Sequence, residues 1–313
     1  MRFSLVFVAL TGGTGGAKLI QGLSHELDPE ELTIICNTAD DFVLYGLNIS
    51  PDLDTIMYTL AGLGDDVKGW GIRGDTFTAL EQLRQYGYEA WFKIGDRDLA
   101  THIERTKLMR EGFTLSQVTE ELRRALAIPA TIRPMSDQAV ETKVATSEGE
   151  ISFQEYFVKH RWQPEVKRVF YARIENSKPA TGVVEALGDA EGIILCPSNP
   201  ITSIGPILAV PGMRDAVKQS PAPVVGVSPI IGESAISGPA HKLMAAQGWE
   251  VSAYGVARGY ADLLDGFFID TEDEKHQGRI EALRVKAVTT SIRMDSSAEK
   301  RRLARELLAF MRK

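Results

Sequence analysis

Residues 3–19 read FSLVFVALTGGTGGAKL, an apolar run that passes through two Gly-Gly pairs into the start of a mixed segment. The unbroken Val, Leu and Phe content of residues 3–10 is that of a strand buried on both faces, and it fits a first core strand better than a secretory signal. Gly12, Gly13, Gly15 and Gly16 follow, between this strand and a helix. Glycine accepts positive φ and lets another group approach the backbone closely. The free N–H groups of a helix start can then hold a phosphate or carboxylate. Two familiar nucleotide loops are disfavoured. A Walker A loop needs Lys followed by Ser or Thr, and here Lys18 is followed by Leu19. The dinucleotide fingerprint needs a third glycine where Lys18 stands. An anionic ligand is expected at this turn; a plain tight turn is the alternative.

Working outward, LTIIC at 32–36 reads as a second buried strand. Further apolar strands are expected near 167–171, 192–196, 223–228 and 265–269, with helical stretches near 204–218 and 235–247. Apolar strands alternating with helices predict an α/β fold: a Rossmann-like, three-layer core with a mostly parallel sheet. The middle has a different texture. Residues 75–86 and 97–111 read as helices, Thr114 and Gln117 form a capping box for a helix to Leu126, and 140–154 reads as a hairpin around Glu148-Gly149. The expected organisation is therefore a core of 1–64 and 166–313 with an inserted, mainly helical region at 65–165 that carries the small hairpin. Ser296 and Glu299 mark a second capping box, opening an amphipathic helix to about Met311. The chain stops soon after that helix, so no fused second enzyme is expected.

Composition narrows the function. The 313 residues carry 35 Lys and Arg against 42 Asp and Glu, a net charge of −7 with no basic stripe, so nucleic acid is not an expected partner. No stretch is long and apolar enough to predict a membrane span. Cys36 and Cys196 sit in apolar runs and are expected as reduced core thiols of a cytoplasmic protein. None of the five histidines has a Cys or second His at metal-ligand spacing, and His102 is expected to be solvated.

Carboxylates gather where ligands are expected. Asp40 and Asp41 end the second strand, at the carboxyl edge where open α/β sheets bind ligands. Asp52 and Asp54 follow in Pro51-Asp52-Leu53-Asp54, and either can reach the same crevice. Such a set suits Mg²⁺, which takes a few carboxylates, water and phosphate oxygens; helix caps and surface acids are the alternative. Gly69–Asp75, with Trp70 and Arg73, and Lys93–Asp98 are loops that can meet a ring and an anion, or else serve as ordinary helix connectors. Ile132–Asp137 packs Arg133 and polar groups around a proline. Cys196–Pro206 supplies Ser198, Asn199, Thr202 and Ser203 before a helix start, a set fit for phosphate or base recognition.

These stretches together resemble the 2-phospho-L-lactate transferase family of coenzyme F420 biosynthesis. The resemblance rests on GGTGGAKL at 12–19, NTADDFVLYGLNISPDLDTIMYTLAG at 37–62, GWGIRGDTF at 69–77, FKIGDRDLATHIERT at 92–106, IRPMSD at 132–137, PSNPITSIGPIL at 197–208, SPIIG at 228–232 and GPAHKLM at 238–244. Thr14 and Cys196 depart from the residues usual at their positions. The resemblance implies a Mg²⁺-dependent transfer of a phospho-acid, 2-phospho-L-lactate or enolpyruvyl phosphate. It would pass from a diphosphoguanosine donor to a hydroxyl of the deazaflavin alcohol Fo, with release of GMP. It implies Asp40, Asp41 and Asp54 as catalytic carboxylates, with Asp40 and Asp54 as the Mg²⁺ pair and Asp41 orienting Fo. Gly12, Gly13, Gly15, Gly16 and Lys18 would line the diphosphate or acceptor channel. Ser198, Asn199, Thr202 and Ser203 would hold the guanosine-phosphate half, Trp70 and Arg73 the acceptor, and Lys93 or Arg133 the donor carboxylate. A homodimer is also implied. The alternatives are a related nucleotide-sugar or nucleotidyl transferase, and a non-catalytic regulator that binds a nucleotide-activated metabolite.

Overall fold

The structure, a computed structural model, describes residues 6–65, 67–236 and 238–312; residues 3–5 of the expected first strand lie outside it. In chain order its strands are β1 (Val6–Thr11), β2 (Leu32–Cys36), β3 (Phe42–Leu44), β4 (Leu47–Ile49), β5 (Thr131–Pro134), β6 (Glu141–Thr146) and β7 (Gly149–Ser152). There follow β8 (Val166–Ala172), β9 (Ala190–Leu195), β10 (Val224–Val227), β11 (Ile230–Ile231), β12 (Ser234–Ala235), β13 (Gly266–Ile269) and β14 (Lys286–Thr289). Seven of them form one sheet in the order β14-β13-β10-β9-β1-β2-β5, and every pairing in it is parallel.

Alternation along these strands builds the three layers. In β1, Phe7 and Ala9 enter one apolar cluster while Val8 and Leu10 enter the other. β13 repeats this, with Phe268 on the first face and Phe267 and Ile269 on the second. Both faces are buried, so the strands read as continuous apolar runs rather than alternating ones. The helices Gly13–Ser24, Pro51–Leu60, Leu115–Ala125 and Ser297–Met311 contribute to the first cluster, and Val183–Gly188, Ile204–Ala209, Ala240–Ala246 and Ala253–Gly259 to the second.

Both capping boxes form as expected, at Thr114/Gln117 and at Ser296/Glu299. Two features differ from the sequence reading. The strand expected at 167–171 forms as β8, but it pairs antiparallel with β6 in a separate three-stranded sheet, β7-β6-β8. The parallel sheet instead gains β5 and β14 at its edges, short strands whose mixed composition hides them.

The connectivity sets the place of the site. From β1 the chain runs outward to β2 on one side, and later returns to β9 on the other. The loops after β1 and β9 therefore diverge at their carboxyl ends and leave a crevice between them.

Candidate active site

Three loops meet at that crevice. Gly13 has φ +63, a left-handed conformation that favours glycine. A side chain at Gly16 would collide with the Thr11 and Ser198 hydroxyls, and one at Gly12 with Asp52 and Ser203. Gly12 and Gly16 are thus required by close packing between loops, and Gly13 by its backbone conformation. Ser198 spends its hydroxyl on Gly12, donating to the Gly12 carbonyl at 2.7 Å and accepting the Gly12 N–H at 3.2 Å. The Asn199 carboxamide oxygen accepts the N–H groups of Ile201 and Thr202. Both side chains hold the loop in shape.

Asp52 ties the first two loops together. It accepts the Gly13 N–H at 2.8 Å and the Asn37 side-chain amide at 2.9 Å. Asn37 also donates to the Thr202 carbonyl at 3.1 Å, which brings in the third loop. Burial pushes the Asp52 carboxyl up to about 6, against the pull of its two hydrogen bonds. Asp40 is likewise pushed well up, first by burial and then by the neighbouring Asp52 charge, with the Thr142 hydroxyl opposing. Asp41 is raised by burial, though the 2.6 Å bond from the Ser50 hydroxyl and the Arg105 charge pull it down. Asp40 Oδ1 and Asp41 Oδ1 are buried without a hydrogen-bond partner, as is Thr38 Oγ1. A buried carboxylate oxygen left without a donor is satisfied either by a proton or by a cation.

Behind this group lies a second buried cluster. The Arg105 guanidinium, 1% exposed, donates to both oxygens of Asp54 and lies 3.1 Å from His102 Nδ1. His102 Nε2 is 3.2 Å from Asp98, whose other neighbour is the Tyr58 hydroxyl, donating at 2.7 Å. The expected solvated His102 is corrected: it is 2% exposed. Asp98, His102 and Arg105 lie on one face of the helix Asp96–Arg110 because of their spacing of four and three, a signal already present in the sequence. Asp54, Asp98 and His102 offer ligand atoms within 4.8 Å of one another, a set that could coordinate a divalent metal. The Arg105 guanidinium already fills both Asp54 oxygens and compensates that charge.

The remaining expected residues are spread around the crevice. Lys18 lies between two cavities and pairs with Asp295 at 3.6 Å. One cavity, of 210 Å³, is bordered by Trp70, which is 39% exposed with Lys68 Nζ 5.7 Å from its ring. The other, of 480 Å³, is bordered by Gly15, Pro197 and Arg293. Thr202 and Ser203 are buried beside the glycine turn. Arg73 donates to the Gly64 carbonyl, and Arg133 to the Thr181 carbonyl at 2.8 Å; Lys93 is exposed. The two connector loops cap one another. Asp96 accepts N–H groups of Thr78 and Ala79, and Asp75 accepts those of Arg97 and Asp98. A third cavity, of 580 Å³, opens at Thr38, Asp41, Phe42 and Trp91. The sequence reading did not single out Trp91, Thr38 or Arg105 for a role in the site.

Comparison with known proteins finds relatives over nearly the whole chain. The profile of the family described as 2-phospho-L-lactate transferase CofD matches residues 7–309. A phosphoenolpyruvate transferase from Streptomyces griseus is 44% identical, over 97% of this chain and 99% of its own. A 2-phospho-L-lactate transferase from Methanosarcina mazei is 43% identical, over 95% and 97%. A crystal structure of a UPF0052-family protein from Bacillus halodurans shares the fold, with a TM-score of 0.66 at 17% identity, covering 98% of this chain and 99% of that one. Among the described residues no helix is long and apolar enough to cross a membrane. With the match running from β1 through the last helix, the chain belongs to the 2-phospho-L-lactate transferase CofD family.

Proposed function

We propose that this protein transfers a phospho-acid from its diphosphoguanosine donor to the ribityl hydroxyl of Fo, releasing GMP, as a Mg²⁺-dependent step of coenzyme F420 biosynthesis. The observation that carries the reading is the pair of buried, unpartnered oxygens Asp40 Oδ1 and Asp41 Oδ1 just beyond β2. An oxygen left without a donor there is one that Mg²⁺, rather than the anionic diphosphate, would coordinate. The names of the similar proteins support the reaction class and leave two acid units open, phosphoenolpyruvate and 2-phospho-L-lactate, at nearly equal identity.

The residues divide the work as follows. Asp40 and Asp52 would share Mg²⁺. The Asp52 charge raises the Asp40 carboxyl, so the two act on one another's surroundings at the crevice. This reading prefers Asp52 to the expected Asp54 as the partner of Asp40, because the Arg105 guanidinium already compensates the Asp54 charge. Mg²⁺ held by these carboxylates would supply charge neutralisation for the departing GMP. Asp41, held by Ser50, would orient the acceptor hydroxyl and receive its proton as the new phosphorus–oxygen bond forms. The glycine turn and Lys18 would position the diphosphate, since phosphoryl transfer depends mainly on alignment and electrostatics. The same reading expects a cytoplasmic homodimer.

Purified protein incubated with Mg²⁺, Fo and lactyl- or enolpyruvyl-diphosphoguanosine should yield the phosphodiester of Fo together with GMP, read by mass spectrometry. Folded protein that forms no product with either donor would sink the reading.

A further inference from the structure

We propose that Thr106 and Arg105, on the inserted helix Asp96–Arg110, are positioning residues for the transfer: they fix Ser50 and, through its hydroxyl, the carboxylate of Asp41. This rests on the transfer reading above, in which Asp41 receives the acceptor's proton, and adds to it what aims that carboxylate.

The link to Asp41 is one short hydrogen bond. The Ser50 hydroxyl donates to Asp41 Oδ2 at 2.6 Å, and Asp41 Oδ1 is left without a partner. A hydroxyl has a single proton to donate, so the place of Ser50 decides which Asp41 oxygen is engaged and where the other points.

Ser50 follows directly on β4, which pairs only with β3. A two-stranded hairpin is marginal by itself, so its position is set by what it packs against. Here that is the inserted helix. Two residues before Ser50, the Asn48 backbone is gripped twice. Its N–H donates to the Thr106 hydroxyl at 2.7 Å, and its carbonyl accepts from Arg105 at 3.4 Å. Thr106 and Arg105 are both 1% exposed, so water does not compete for these bonds.

The same helix holds Ser50 from the other side. Four residues on, the Asp54 N–H donates to the Ser50 carbonyl at 3.0 Å, while the Asp54 carboxylate is clasped by both arms of Arg105. Behind the guanidinium, His102 Nδ1 lies 3.1 Å from Arg105 and His102 Nε2 3.2 Å from Asp98, which braces it in turn. Ser50 is thus bracketed by Asn48 and Asp54, and both are fixed by consecutive residues of one helix. The inserted region thereby acts on the chemistry without touching a substrate.

The test is a double-mutant cycle on turnover, with thermal melting of each variant as the check on folding. Thr106→Val removes the accepting oxygen at nearly constant volume. It should lower kcat by roughly tenfold and leave the KM values for Fo and for the donor within about twofold. Thr106→Ser keeps the hydroxyl and should hold kcat within about twofold of wild type. In a Ser50→Ala background the link to Asp41 is already cut. There Thr106→Val should lower kcat no further, while still lowering the melting temperature. Arg105→Lys keeps the charge but loses the fork; it should follow the same pattern, and it carries the test if Thr106→Val does not fold. An equal loss of kcat in the wild-type and Ser50→Ala backgrounds, or an unchanged kcat in folded Thr106→Val, overturns the positioning role and leaves the transfer reading standing. Wild-type protein that forms no product with either donor overturns both.

Discussion

Arg105 and Asp54 form a bidentate pair across 51 residues of chain, with the guanidinium on one inserted helix and the carboxylate at the start of the core helix Pro51–Leu60. Both groups are buried, at 1% and 5% exposure. The pair joins the inserted region to the crevice. Removing one partner strands the other as a buried charge. Arg105→Ala should therefore cost about 3–5 kcal/mol, read as a shift in the urea unfolding midpoint. A loss below about 1 kcal/mol would mean that the pair is compensated by water.

Asp40→Asn separates function from stability. The folded chain disfavours the Asp40 charge, by burial and then by Asp52. The amide should raise the melting temperature of the metal-free protein while lowering Mg²⁺-dependent turnover by roughly a hundredfold or more. Normal turnover would remove Asp40 from the proposed Mg²⁺ site.

The same carboxylates give a pH dependence of known sign. Asp40, Asp41 and Asp52 hold their protons more tightly folded than unfolded, Asp52 with a folded value of about 6. Between the ordinary carboxylate range and that value the folded state binds more protons, so metal-free stability falls as pH rises through the window. A cation that binds the ionised groups cancels the fall. Melting curves from about pH 4 to about pH 8 should decline in chelator and flatten in Mg²⁺. Identical curves with and without Mg²⁺ would count against the cation site.

Gly16→Ala tests the packing of the turn. The added methyl group meets Thr11 and Ser198, and Ser198 cannot withdraw without releasing Gly12. About 1–3 kcal/mol of stability should be lost. Gly62, with φ +68 and open space around it, offers a contrast: alanine there should cost backbone strain alone, at about 1 kcal/mol.

Much of this was legible along the chain. FSLVFVAL followed by paired glycines announces a buried strand entering a helix, because burial on both faces leaves no polar alternation and the turn admits only small residues. The capping boxes at Thr114 and Ser296 were equally local, since a cap is written within four residues. β8 misled because an apolar run does not state its partner, and β5 and β14 were missed because edge strands carry mixed composition.

The sequence by itself determined the layered fold, the crevice edge and the carboxylates that gather there. These depend on residue type and spacing of only a few positions. Only the tertiary structure decided which carboxylate has which partner. Asp54 looked as free as Asp40 until Arg105, on another helix, closed over it. Asp52 looked like a helix cap until Gly13 and Asn37 donated to it. The physical reason is that charge compensation is settled between side chains distant in the chain, in a low-dielectric interior where one guanidinium changes the role of the acid beside it.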